Sequence, residues 1–410
     1  IHIVCEIMIE NLIERFFNAA TMERWNDHIR PFKLTELDKQ AHKMIIAYVL
    51  AKIEEESRGK NSINWINLIE GFLFDFFHRL VLTDIKPPVF HRMMAEKRQE
   101  LNEHVLNELK PDFKGLKDTS FEKKFKNYLS SRESTLEKRI LRAAHYLATN
   151  WEFKIIYSTA PFIYGIEKTR EKIENQIEDH YDLIGVQKIM LEKKSFGFVD
   201  LCGQLRFQKR WAHSPRIPET SVMGHMLIVA ATSYLCTMEM GVKACDKRIY
   251  NNFFAGLFHD LPEVMTKDII SPVKRSVSEL EDIIKEYEDY QMKEGVLPLL
   301  PKTWHDEMLY FTGYEFENKI KDEGSVKFIS FTELNKKYNK NEFSPLDGEL
   351  LKACDQLAAF AEVKISIRHG ITSKDFEKAH KGMIDHWKSQ KVSGNDFGQI
   401  FRSLEKLIEE

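Results

Sequence analysis

Apolar residues recur along this chain at intervals of three and four. Between Leu350 and Phe360 that spacing marks one buried helix face. The runs Met44 to Ala51, Met226 to Ala231 and Phe253 to Phe258 are continuous apolar stretches that read as core helices. Ile173, Ile177, Tyr181 and Ile184, spaced four, four and three apart, predict one face of an amphipathic helix in a highly charged stretch. A boundary near residue 180, inside that helix, divides the chain into residues 1–180 and 181–410. Val296 to Pro301 and Asn339 to Pro345 read as breaks between helices. No alternating pattern recurs, so the expected fold class is all-α. None of the runs approaches the roughly 18 continuous apolar residues of a membrane span, so no membrane partner is expected.

A chain of 410 residues has room for about two to three domains, each with its own core. Lys plus Arg total 60 against 63 for Asp plus Glu, and the net charge of -3 provides no global basic field for nucleic acid. The five cysteines, Cys5, Cys202, Cys236, Cys245 and Cys354, are odd in number and form no CxxC motif. The opening Ile1 to Glu6 lacks the basic region and cleavage site of a signal peptide. A reducing cytoplasm is the expected compartment.

Chemistry enters with the dipeptide His259-Asp260. With His225 upstream and Asp355 downstream it offers two imidazoles and two carboxylates, a mixed nitrogen and oxygen set suited to a divalent transition metal. His225 lies 34 residues before His259 and Asp355 lies 95 after Asp260, so no single loop holds all four. Each falls on or beside a helix with a buried face. Taken singly, each has an ordinary structural reading. Their order, with the further carboxylates Glu263 and Asp268, shifts the balance toward a site.

That order resembles the HD-domain metal-dependent phosphohydrolases. Gln208-Lys209-Arg210-Trp211, the stretch from Pro218 to His225, the stretch from His259 to Asp268, Ser271-Pro272-Val273-Lys274 and the final Asp355 are similar to the bacterial 5'-deoxynucleotidase branch. Met223-Gly224 stands where that branch commonly has Ser-Glu. The resemblance implies one divalent ion (Mn, Co, Zn or Mg) held by His225, His259, Asp260 and Asp355, which would activate water and polarise a phosphoryl group. It also implies a small-molecule nucleotide substrate. Glu263 would orient the attacking water, with Pro262 near a helix start or kink. Asp268 would support proton transfer to the leaving oxygen. Arg210 would grip phosphate oxygens, Trp211 would pack on the sugar and exclude a ribose 2'-hydroxyl, and Lys274 would reach phosphate. Hydrolysis of a nucleoside triphosphate or cyclic nucleotide, or a non-catalytic nucleotide-binding scaffold, are the competing readings.

The landmarks recur in the first half. Arg24-Trp25 parallels Arg210-Trp211, His42 parallels His225, His78-Arg79 parallels His259-Asp260, and His145 parallels Asp355. Arg79 puts a permanent cation where a metal needs an anion, and no Glu matches Glu263. Two HD-type helical domains in tandem, the first degenerate, are therefore expected, packed as an internal pseudo-dimer with further self-association open.

Overall fold

A computed structural model describes residues 9–83, 85, 87–266 and 280–409. They are overwhelmingly helical, as the sequence predicts. The first half contains α1 (Glu10–Thr21), α2 (Glu36–Arg58), α3 (Trp65–Leu82), α4 (Pro87–Phe113), α5 (Ser120–Ser130), α6 (Leu136–Thr159) and α7 (Ile166–Glu178). The second contains α8 (Ile184–Met190), α9 (Lys194–Gly203), α10 (Val222–Glu239), α11 (Asp246–Phe258), α12 (Glu263–Thr266), α13 (Leu280–Gln291), α14 (Lys302–Thr312), α15 (Phe331–Lys336), α16 (Gly348–Arg368), α17 (Lys374–Trp387) and α18 (Phe397–Glu409). Antiparallel two-residue ladders pair Glu23–Arg24 with Leu34–Thr35 and Lys391–Val392 with Asn395–Asp396, and Lys319–Asp322 pairs with Ser325–Phe328.

Local chemistry sets the helix ends. Thr35 caps α2 by accepting from the Asp38 N–H, and Ser221 caps α10 by accepting from the Gly224 N–H, each satisfying a donor that the first turn leaves open. Glycine decides two close approaches. A Cβ on Gly256 of α11 would stand 2.9 Å from the Ala230 Cα of α10, and one on Gly348 would stand 2.3 Å from the Glu317 backbone. Only the bare backbone fits there.

The two halves share one continuous apolar core. α2 packs along α10, with Gly224 seated against Leu37 and Asp38. Tyr48 of α2 lies 4.9 Å from Phe254 and 5.1 Å from Phe258, ring centre to ring centre. Each large side chain buried in this way stabilises the fold by roughly 1.5–3 kcal/mol. Val222–Glu239 is the one described helix long and apolar enough to cross a membrane, but 94% of it is buried inside the fold, where it forms the central core helix.

The amphipathic helix expected through residue 184 is shorter than its spacing predicts. α7 stops at Glu178, and turns bonded from His180 N–H to Ile177 O and from Leu183 N–H to His180 O lead into α8. These turns bury Leu183 and leave Tyr181 and Ile184 exposed. The breaks expected at 296–301 and 339–345 are present as short 3-10 turns between helices.

Candidate metal centre

His225 sits one turn inside α10, directly after the Ser221 cap, and is fully buried. His259 ends α11, where its Nδ1 donates to the Gly256 carbonyl at 2.9 Å. This bond fixes the ring and turns Nε2 toward the centre, the arrangement that metal-ligating histidines use. Asp355 projects from α16, with its Oδ1 2.8 Å from His225 Nε2 and 4.0 Å from His259 Nε2. His225, His259 and Asp355 each offer a ligand atom within 4.8 Å of the others. Asp260 Oδ2 flanks this trio, 3.3 Å from His259 Nε2 and 4.0 Å from His225 Nε2. Residues distant in sequence thus converge from three elements.

Arg210 lies over the cluster, with Nη1 3.8 Å from Asp260 Oδ2 and Nε 3.7 Å from Glu362 Oε2. Its backbone N–H donates to Thr220 O at 3.0 Å. Trp211 takes a left-handed backbone conformation (φ 57), and its Nε1 donates to Glu362 Oε2 at 2.9 Å, while its ring meets the edge of Phe376. Glu263 opens α12, its N–H on Asp260 O at 3.0 Å, with Pro262 immediately before the helix as expected. Gln208 ties the same turn by donating to Glu263 O and Val264 O. Asp268 and Lys274 fall outside the described residues.

Electrostatics follow from this crowding. Burial alone would lower the basicity of His259, but the charge of Asp260, 3.3 Å from its Nε2, with Asp355 beyond, holds its imidazolium up to about 9. Burial would raise Asp260, yet His259, His225 and Arg210 keep its carboxyl far below the usual range. Asp355 is lowered in the same way, chiefly by the hydrogen bond from His225. The site holds anionic carboxylates facing imidazoles. A divalent cation is the natural counterpart to such a set.

Sequence reasoning missed Glu362. It is fully buried and accepts from Trp211 Nε1 and from Thr220 Oγ1 at 2.5 Å, with Arg216 Nη1 at 3.0 Å and His225 Nδ1 at 3.9 Å. Burial pushes it up, but Arg216, Arg210 and His225 hold it at about 2. The available signal was its place seven residues after Asp355 on α16, two helical turns along the same face.

The first half holds a cluster of matching shape. Trp25 also has a left-handed backbone (φ 56), and its Nε1 donates to Glu152 Oε2 at 2.9 Å, alongside Arg24 Nε at 2.9 Å. Glu23 pairs with Thr35 across a ladder, as Lys209 pairs with Ser221. Trp25 and Trp211, Thr35 and Ser221, and Lys39 and His225 are separated by the same 186 positions. Lys39 Nζ lies 2.5 Å from His145 Nδ1, as His225 lies beside Asp355. By that spacing Lys39 stands 186 positions before His225, whereas the order of landmarks in the sequence pairs His225 with His42. His42 is three residues further along α2, where its Nε2 meets Val199 O and its Nδ1 meets Arg206.

Residues 202–384 match the HD-domain family. HD domains are typically metal-dependent hydrolases. The matched stretch carries His225, His259, Asp260, Asp355, Arg210 and Glu362, the whole of the cluster around which the second half is folded. No curated protein matches the chain.

Proposed function

We propose that the second half, residues 181–410, is a metal-dependent phosphomonoesterase acting on 5'-deoxynucleoside monophosphates. The observation that carries this reading is the convergence of His225, His259 and Asp355, with Asp260 beside them, beneath the guanidinium of Arg210. The cluster fits a metal. His259 Nε2 and Asp260 Oδ2 are buried side-chain atoms that make no hydrogen bond, so both are available as donors to an ion. His225, His259, Asp260 and Asp355 would hold one divalent ion (Mn, Co, Zn or Mg). When bound, that ion supplies Lewis-acid polarisation of a phosphoryl oxygen and acidifies water.

The remaining work belongs to side chains of this chain. Arg210 presents a planar fork to phosphate oxygens, held by Glu362 and the Thr220 carbonyl. Glu263 orients the attacking water and takes its proton, and Asp268 supports proton delivery to the leaving sugar oxygen. Trp211, fixed by Glu362 beside Arg210, packs on the sugar and disfavours a ribose 2'-hydroxyl. Lys274 adds charge to the phosphate side.

We further propose that residues 1–180 are a degenerate copy of the same unit and serve as an internal partner. The shared spacing, the paired Trp to Glu bonds and the α2 to α10 packing support this. The four described cysteines are free, and three of them are buried, in keeping with a reducing cytoplasmic setting. The test is phosphate release from a panel of deoxy- and ribonucleotides, as mono-, tri- and cyclic phosphates, with Mn, Co, Mg, Zn or no added metal. Release from deoxynucleoside monophosphates only with metal supports the reading. No turnover with any metal refutes it, and preference for triphosphates or cyclic nucleotides moves the substrate class.

A further inference from the structure

The helix that carries His225 begins at the seam between the halves, and its cap is completed from the other side. Ser221 accepts from the Gly224 N–H at 2.9 Å, and its own hydroxyl donates to Oδ1 of Asp38 in α2. The other oxygen of that carboxylate, Oδ2, accepts at 2.9 Å from the hydroxyl of Thr35, the residue that caps α2. One buried carboxylate thus closes the caps of both helices. The second half carries no acid at the matching place, because the third residue after Ser221 is Gly224, whereas the third after Thr35 is Asp38. A Cβ on Gly224 would stand 3.1 Å from Asp38 Oδ1 and 2.9 Å from Leu37 Cδ2. The seam has room for one carboxylate, and it comes from the first half.

The residue that Asp38 holds is the one on which the metal centre rests. The His225 N–H donates to Ser221 O at 3.0 Å, so the first turn of α10 sets the backbone of a metal ligand on Ser221. Thr220, immediately before it, donates its hydroxyl to Glu362 and accepts from the Arg210 N–H at 3.0 Å. A displacement of Ser221 therefore moves His225, Glu362 and Arg210 together. The carboxylate also places negative charge at the positive end of α10, which strengthens the cap. We propose that Asp38 is a positioning residue of the second-half metal centre, supplied by the first half and acting through the Ser221 hydroxyl, so that the centre is complete only when both halves are present. The proposal rests on the metal-centre reading and is independent of which phosphoester is cleaved.

The experiment measures the affinity of the full chain for Mn and for Zn by equilibrium dialysis, at a temperature well below the thermal midpoint of every variant, with turnover recorded alongside. Groups that orient a metal ligand from outside contribute about 10–100-fold to affinity. Asp38→Asn, which keeps the size of the side chain and removes its charge, is expected to weaken metal binding by about tenfold at the low end of that range. Ser221→Ala is expected to weaken it as well, and the double variant to lose no more than the weaker of the two single variants, since both act through one hydrogen bond. Asp38→Gly combined with Gly224→Asp returns a carboxylate to the seam from the opposite side and is expected to recover affinity relative to Asp38→Gly alone. This pair gives the decision should Asp38→Asn fold poorly. Unchanged affinity in Asp38→Asn, losses that add in the double variant, or a folded Asp38→Gly, Gly224→Asp chain that recovers nothing overturns the proposal. An unmodified chain that binds metal and releases no phosphate overturns the phosphomonoesterase reading alone, and one that binds no metal overturns both.

Discussion

His225, His259, Asp260 and Asp355 were legible in the sequence because a metal demands particular donor atoms, and few residue types carry them. Asp260→Ala is expected to remove most bound metal and activity, since it deletes an anionic ligand, and metal content after loading measures it directly. Glu263→Ala is expected to retain metal and lose about 10²–10⁴-fold in turnover, the range for a lost proton-transfer group. Metal analysis beside kinetics separates the two roles. Glu362 was not legible, because an organising carboxylate touches the reacting atoms only through Arg210, Trp211 and His225. The same limit bears on the proposed first-half counterpart of His225. His42 matched by residue type, whereas the cap and ladder geometry selects Lys39.

At the level of elements, continuous apolar runs located α2, α10 and α11, which are buried nearly all round, and three-and-four periodicity located α16, whose apolar stripe is written at the helical period. It failed at residues 179–183, where a hydrogen-bonded turn buries Leu183 and the apparent four, four, three spacing crosses two separate helices. Periodicity also could not show how α16 is set against α11. That is done by Arg248, whose Nε and Nη2 donate to the two oxygens of Asp347 at 2.7 and 2.6 Å, with both side chains fully buried at the start of α16. Asn252 joins the pair by donating to Asp347 and accepting from its N–H. Arg248→Ala leaves a buried carboxylate unpaired and is expected to destabilise the fold by about 3–5 kcal/mol. Urea unfolding measures the loss. Because Asp355 rides on α16 and His259 ends α11, metal affinity is expected to fall with it.

Across the whole molecule, the halves are joined by charge as well as by core. Glu307 of α14 accepts from Tyr48 and Lys52 of α2 and from Lys247 of α11. Burial would raise its pKa, but Lys247 and Lys52 hold it at about 2, below its usual 4.5. A carboxylate lowered in this way stabilises the fold fully above its unfolded pKa, and the contribution disappears as pH falls from about 4.5 toward 2. Glu307→Gln is therefore expected to destabilise the chain at neutral pH by about 1.5–3 kcal/mol per charged hydrogen bond lost and to flatten its acid unfolding profile over that window. Denaturant unfolding from pH 7 to 2 tests both. Residues 181–410 alone are expected to aggregate or self-associate, since the faces of α10 and α11 that lie against α2 would be bared. Light scattering checks this, and a monodisperse, active monomer contradicts it. The seam at Gly224 carries a further meaning. In a dimer of identical chains every residue near the two-fold axis must suit its own mirror image, whereas here Gly224 is a hollow into which Leu37 and Asp38 fit. Substitutions on one side need no longer be tolerable on the other. In the proposed pseudo-dimer, joining the halves in one chain would free each face to diverge, and a second half severed from the first would find no equally good mate in another copy of itself.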